Sequence, residues 1–511
     1  MSFGQLFRTK SLDALVGETE GEGRQLKRVL GPWNLIALGI GAVIGAGIFA
    51  TIGTAAGGQT TAPFRPGAGP GLMLSFVITA VVCGFTALCY AEFASMVPVS
   101  GSAYTYSYGT LGELVAWIIG WDLIIEYAIG NVAVAISWAN YFNTLIGTFG
   151  IYLPKWLAID YQTGHVMPEV VAVAPKIFGF PIIVNIFALA IVALITMVLV
   201  WGIKASARLN IFMVGLKLLV LAFFVIVCIP AVKVENWTPF APNGWPGIAT
   251  GAAIIFFAYI GFDAVSTTAE ETRNPKRDMP IGIIGSLIVC TIIYVIVAAV
   301  FTGVIPFPEL RRLLATEQGE PLTMAMQYAG QSNLSIRIVA FGSVVAHTAV
   351  LLVFQLGQPR IFFAMARDGL LPKGIAKVHP KYGTPHVATI ITGLVVGVAA
   401  MFSSLEDMVN LTNIGTLFAF MLVCIGIIIL RIKEPNRERT FRVPGPAWGI
   451  PLIGALTCVG LAYYLERSSW TRFGAWLALG LVFYFVYGFW NSRLRHPRPA
   501  DVPPTPPTFK E

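Results

Sequence analysis

Long apolar stretches recur along the whole chain, separated by short polar ones. A helix crossing a bilayer needs roughly 20 mostly apolar residues, and on that length the pattern predicts about twelve crossings. They fall at 33–53, 71–97, 111–148, 180–201, 209–231, 247–270, 281–305, 338–366, 386–401, 411–430, 451–464 and 473–490. The third is long enough to tilt, and the ninth and eleventh are short. The predicted fold class is an all-α membrane protein.

Composition strengthens that reading. Hydrophobic residues make up 56% and charged ones 12% of the 511 residues, whereas soluble domains carry about a quarter charged residues. The net charge of +8 does not point to nucleic acid. With the N-terminus placed in the cytoplasm, roughly 24 Lys and Arg fall inside and roughly 9 outside, the positive-inside bias. Both termini are therefore expected in the cytoplasm of a multi-pass cell (inner) membrane protein, with the lipid bilayer as its surroundings. The first 28 residues lack a signal-peptide pattern. All six cysteines lie in apolar stretches, without metal-ligand spacing, and read as small packing residues. No cofactor is expected.

Five units follow along the chain: a cytoplasmic segment 1–29, a first five-helix repeat 30–231, a second 232–430, two additional helices in 431–492, and a proline-rich tail 493–511. The longest external stretches are 150–179 and 306–337, the latter with a short surface helix expected around Pro308 to Arg312. The repeat rests on a correspondence five spans apart. The first span contains Gly41, Gly45 and Gly47; the sixth contains Gly261 followed by Asp263. An odd number of spans per repeat inverts the second copy. Paired interrupted helices in corresponding positions point to a transporter site, although glycine in a membrane helix also serves close packing.

Breaks in these helices would supply complementary chemistry. Unwinding at Gly45, Ala46 and Gly47 exposes N–H groups at the positive end of the outer half-helix, a receptor for a carboxylate. A break over 257–261 offers free carbonyls for an ammonium group. Together they fit an α-amino acid zwitterion. Charged groups inside a membrane cost about 2.5–3.5 kcal/mol on insertion scales and need a partner or a task. Glu126 and Asp122, four residues apart in the third span, share a face. Glu126 is the candidate to meet a cationic substrate side chain, with a structural carboxyl as the equal alternative. Lys217, deep in the fifth span, is a candidate proton carrier, weighed against snorkelling to the interface. Asp263 is expected to cap the inner half of the sixth span. Glu92, Arg360, Arg367 and Asp368 read either as inner-gate ion pairs or as solvated charges, and His347 as a packed or hydrogen-bonded residue.

These residues resemble a known family. The run Gly41-Ala42-Val43-Ile44-Gly45-Ala46-Gly47-Ile48-Phe49 is similar to the first-helix motif of the amino acid–polyamine–organocation superfamily. Cys89 to Ser95 with Pro98 to Tyr104 resembles its second-helix signature. Phe256 to Asp263, followed by Glu270-Glu271-Thr272-Arg273-Asn274-Pro275, resembles the cationic amino acid transporter branch, and Ala366 to Pro372 also fits. The resemblance implies the five-plus-five inverted-repeat fold, also seen in sodium-coupled neurotransmitter transporters, with helices 1 and 6 broken. It implies substrate binding at Val43, Gly45, Ala46, Gly47, Glu126, Phe257, Ala258 and Ile260, with the Phe257 ring helping to gate. It further implies proton coupling at Lys217, and Asp263 and Tyr259 as helix-break cap or gate. Ala46 departs from the motif's usual hydroxyl residue, and the stretch 57–69 is longer than usual.

The expectation is a proton-coupled importer of amino acids, cationic ones (arginine, lysine, ornithine) preferred. The alternatives are a neutral alanine-type symporter and an amino acid or polyamine exchanger. A small membrane accessory subunit is left open. An intramembrane enzyme is disfavoured, since no HExxH motif, Ser/His/Asp set or phosphate loop is found.

Overall fold

The computed structural model describes residues 6–10, 30–59, 64–96, 102–202, 207–316 and 320–495. Most of the proline-rich tail, most of the N-terminal segment, positions 60–63 of the 57–69 stretch and Pro98 to Gly101 of the second-helix motif lie outside them. Among the described residues the chain is helical apart from two antiparallel pairs of two-residue strands, Gly58–Gln59 with Arg65–Pro66 and Lys176–Ile177 with Phe180–Pro181.

The main helices are α1 (Pro32–Val43), α2 (Gly47–Gly57), α3 (Leu72–Met96), α4 (Ser102–Thr110), α5 (Glu113–Gly147), α6 (Ile186–Trp201) and α7 (Ala207–Cys228). They continue as α8 (Gly244–Ile255), α9 (Pro275–Val304), α10 (Asn333–Arg367), α11 (His386–Phe402), α12 (Leu405–Lys433), α13 (Gly449–Tyr463) and α14 (Arg467–Asn491). Among the described residues eight helices are long and apolar enough to cross a membrane, and nine when the bent pair α1–α2 is one span. The apolar helices α6, α11 and α13 are shorter, at 16, 17 and 15 residues.

The fourth stretch departs from expectation. Its helix begins at Ile186, not at 180, because the hairpin takes Phe180–Pro181 and Asn185 accepts a hydrogen bond from the Ala188 N–H as N-cap. The expected surface helix is present as Phe307–Thr316.

The helices pack in two groups. In one, α9 lies along α3 and α1, and α8 lies along α3; in the other, α10 lies along α5, and α6 pairs with α11. α1 starts on Pro32, whose fixed φ suits a first helical position. It stops where Ile44 turns extended, and α2 leaves at 41° through a π-helical turn over Gly47–Thr51. α8 tightens into a 3-10 turn over Phe256–Tyr259, and Ile260 is then extended. Gly261 follows at φ +114°, a conformation that side chains oppose. The two breaks cross in contact: a Cβ on Gly47 would lie 2.2 Å from the Ala258 Cα, and one on Gly261 would lie 2.9 Å from the Ala42 carbonyl carbon.

Both described ends of the chain lie at one face of the bundle. There Leu6 and Arg8 carbonyls accept from the Leu114 and Glu113 N–H groups, Lys10 pairs with Asp368 at 3.6 Å, and Arg495 reaches Glu113 at 3.2 Å. Glu92 is wholly buried at the end of α3. The Arg431 guanidinium forks onto both of its oxygens, Arg439 lies at 3.2 Å, and the Val443 N–H donates at 2.7 Å. Of the two readings of Glu92, the ion pair is the one present. Removing one member of a buried pair strands the other charge, at about 3–5 kcal/mol, whereas replacing both with apolar residues costs little. Glu92→Ala is expected to lose about that much stability in detergent unfolding, and Glu92→Leu with Arg431→Met to recover part of it, since Arg439 and the Val443 N–H still lose their acceptor. A Glu92→Ala variant as stable as wild type would contradict this.

Candidate functional site

Breaking a helix inside the bundle frees backbone groups that need new partners. Lys217 on α7, 1% exposed, supplies one set: its Nζ donates to the Gly41 and Ile44 carbonyls, each at 2.8 Å. A hydrogen-bond donor is thereby seated at the negative end of α1. Such a contact rules out snorkelling: the ammonium points into the break.

Tyr294 on α9 serves both breaks. Its hydroxyl lies 3.0 Å from the Val43 carbonyl and 2.9 Å from that of Ala258. Asn413 on α12 donates to the Ala253 and Ile254 carbonyls at 2.9 and 3.1 Å, closing the end of α8. The Thr51 hydroxyl donates to Gly47 O at 2.5 Å, the Tyr141 hydroxyl to Phe49 O at 2.8 Å, and the Tyr259 hydroxyl to Phe76 O at 3.0 Å. The first N–H groups of a helix have no intrahelical acceptor, so the start of α2 around Gly45, Ala46 and Gly47 presents donors beside Ala258. Val43, Gly45, Ala46, Gly47, Phe257, Ala258, Ile260, Tyr259 and Lys217 are thus gathered at one crossing and are all buried.

A second cluster lies deeper in the bundle. Glu126 sits in a π-helical turn of α5, Ile125–Ile129, a distortion frequent at functional sites. Asp263 and Asp122 are the charged groups bearing on it, and the Thr416 hydroxyl faces it. All three carboxyls are buried, at 3%, 1% and 1% exposure. Neither Asp122 oxygen nor the Glu126 Oε2 has a hydrogen-bond partner among the described residues. Neither Asp263 oxygen has a hydrogen-bond partner among the described residues, and the short helix Asp263–Glu271 has no side-chain cap bond, so the expected cap is not made. His347 is held at both nitrogens: Nδ1 donates to Ser343 O at 2.6 Å, so Nε2 accepts from the Ser137 hydroxyl at 2.8 Å. Of the remaining gate candidates, Asp368 accepts from the Tyr104 hydroxyl at 2.8 Å besides its pairing with Lys10. No group of His, Cys, Asp or Glu among the described residues could hold a metal ion, and all six cysteines are buried and free.

The amino acid permease pattern matches residues 30–491. The chain belongs to the amino acid permease family. The permease is 46% identical over 491 residues to the branched-chain amino acid permease BcaP of Bacillus subtilis, covering 96% of this chain and 99% of that one. It is 41% identical over 489 residues to a methylthioribose transporter of the same organism, with the same coverage. A vacuolar cationic amino acid transporter 2 of Arabidopsis thaliana is 36% identical over 439 residues, 85% of this permease and 64% of the plant protein. Membership of the amino acid–polyamine–organocation superfamily, read from the glycine motifs, is shown.

Sequence reasoning missed Tyr294 and Asn413. Tyr294 is a lone polar tip in an apolar run, and that was the available signal; Asn413 stands among Asn410, Thr412 and Thr416, which gave none. Because Gly47 touches the Ala258 backbone, which cannot yield as a side-chain tip can, Gly47→Ala is expected to abolish uptake by this permease. Gly215→Ala, where an added Cβ meets nothing within 4 Å, should leave uptake unchanged. Equal uptake by the two variants would contradict the crossing.

Proposed function

We propose that the protein imports α-amino acids across the cell membrane by alternating access, coupled to protons. The carrying observation is the Lys217 ammonium seated on the Gly41 and Ile44 carbonyls at the break of the first span.

In this reading α1 to α14, with α4 as a short buried helix that does not cross and α1–α2 as one span, make twelve crossings with both termini cytoplasmic. Residues 30–231 and 232–430 form inverted five-helix repeats, and 431–492 adds two helices. The packing supports it: α3 with α9, α5 with α10, α6 with α11, and the two breaks with each other are all partners five spans apart. The substrate carboxylate is taken by N–H groups around Gly45, Ala46 and Gly47. Its ammonium is taken by carbonyls of the Phe257–Ile260 segment, beside Val43. Of these, the Ala258 carbonyl is shared with Tyr294. Charged Lys217 holds α1 against α7. On losing its proton it becomes a far weaker donor to two carbonyls, and α1 is freed to swing. Tyr259 anchors the break to α3.

For the substrate side chain, neutral aliphatic groups are the first reading. It is supported by the branched-chain permease at 46% identity over nearly the whole of both chains, and a buried carboxyl such as Glu126 can carry a proton for such a substrate. The second reading, a cationic side chain meeting Glu126, is supported by the unpartnered Oε2.

Two measurements in proteoliposomes test these roles. Lys217→Met should still bind amino acid and lose the stimulation of uptake by an inward proton gradient; retained stimulation would contradict its role. With wild type taking up leucine and not arginine, and Glu126→Gln altering the proton dependence of leucine uptake, the neutral reading holds. Wild-type arginine uptake that Glu126→Gln abolishes would replace it with the cationic one.

A further inference from the structure

One helical turn outward from the breaks lies a cavity of about 340 Å³, within the usual range of small-ligand sites. Thr51, Asn140, Asp160, Glu320, Glu406 and Asn410 are among its lining residues. It adjoins the first break, since the Thr51 hydroxyl that lines it also binds Gly47 O. Phe49, next in the chain to the lining residues Ala50 and Thr51, is fully buried, with Tyr141 and His347 packed on its ring at 6.0 and 5.6 Å.

The polar groups of the cavity are unequally occupied. Asp160 is spent on the Thr163 N–H and hydroxyl at 2.8 and 2.9 Å. Glu406 faces Arg65 at 3.6 Å, and Arg65 also donates to Asn410 Oδ1 at 3.3 Å and to Tyr464 O at 3.2 Å. Glu320 differs. It occupies the N-cap position of the helix Pro321–Tyr328, yet its side chain makes no cap bond. It is 5% exposed, Asn140 bonds its carboxyl, and Oε2 has no partner. Asn410, 1% exposed, likewise leaves Nδ2 without an acceptor. The cavity therefore holds a free buried acceptor and a free buried donor, the latter beside a guanidinium.

We propose that this cavity is a second, outer amino acid site, in which Glu320 takes the ammonium group and Asn410 Nδ2 the carboxylate, occupied at the same time as the site at the breaks. The proposal rests on the reading of the breaks as the transport site. Burial pushes the Glu320 carboxyl up to about 8, so the empty cavity keeps it protonated at neutral pH. An arriving ammonium supplies the counter-charge that favours the carboxylate, and the proton leaves to solvent.

The test is equilibrium binding of radiolabelled leucine and arginine to the purified full chain, counting molecules bound at saturation. Wild type is expected to bind two molecules of its substrate per chain. Glu320→Gln should bind one, the remaining site keeping its affinity. Glu320→Asp, which keeps the carboxyl but withdraws it, should retain both sites with the outer one weakened about ten-fold, the scale of a lost charged hydrogen bond. It carries the test where Glu320→Gln does not accumulate. One molecule per wild-type chain, two per Glu320→Gln chain, none on that variant, or an unweakened outer site in Glu320→Asp would each overturn the proposal. Binding of neither amino acid by wild type would overturn the transport reading as well.

Discussion

A helix interrupted within hydrocarbon leaves backbone groups that no lipid can satisfy, and the arrangement of this permease follows from meeting that demand. Lys217 covers the carbonyls at the end of α1, Tyr294 stands between both breaks, and Asn413 closes the end of α8. These three side chains come from three different helices. Each half of a broken span is thus tied to a different neighbour, and a shift of one half must exchange its partners. Of the three, only Lys217 changes its donor strength with a proton, which in the proposed mechanism links a titrating side chain to the position of a helix.

Charge at the ends of the bundle is handled in the same way. Glu92 and Glu113, both wholly buried, are each matched by arginines: Arg431 and Arg439 on the first, Arg495 on the second. The carboxyls of Asp122 and Glu126 have no such match, and neither has Glu320 at the far side. A buried charge lacking a counter-ion and a full set of hydrogen bonds is costly, which favours a proton or a ligand on these groups. The contrast separates carboxyls that hold the structure together from those left for exchange.

The span pattern was legible because a bilayer imposes one length and one polarity on every crossing. Its misreading at 180–185 arose where a membrane-side hairpin was as apolar as a helix. The breaks were legible because only glycine serves there: Gly47 against the Ala258 backbone and Gly261 at positive φ. What completes the breaks was not. Tyr294 reaches Val43 across 251 residues of chain and Ala258 across 36, Asn413 reaches its two carbonyls across 160 and 159, and nothing local to them says which carbonyl they will reach. Glu320 was hidden for another reason, since it lies in a loop whose burial depends on the packing of α2, α5 and α12 around it.

The most direct measurement of proton coupling is the pH inside proteoliposomes when amino acid is added outside. It is followed with a trapped dye, with equal starting pH on both sides and an interior made negative by potassium and valinomycin. The account predicts acidification of the interior that begins with the amino acid and matches its uptake. Uptake of labelled amino acid at unchanged internal pH would contradict it.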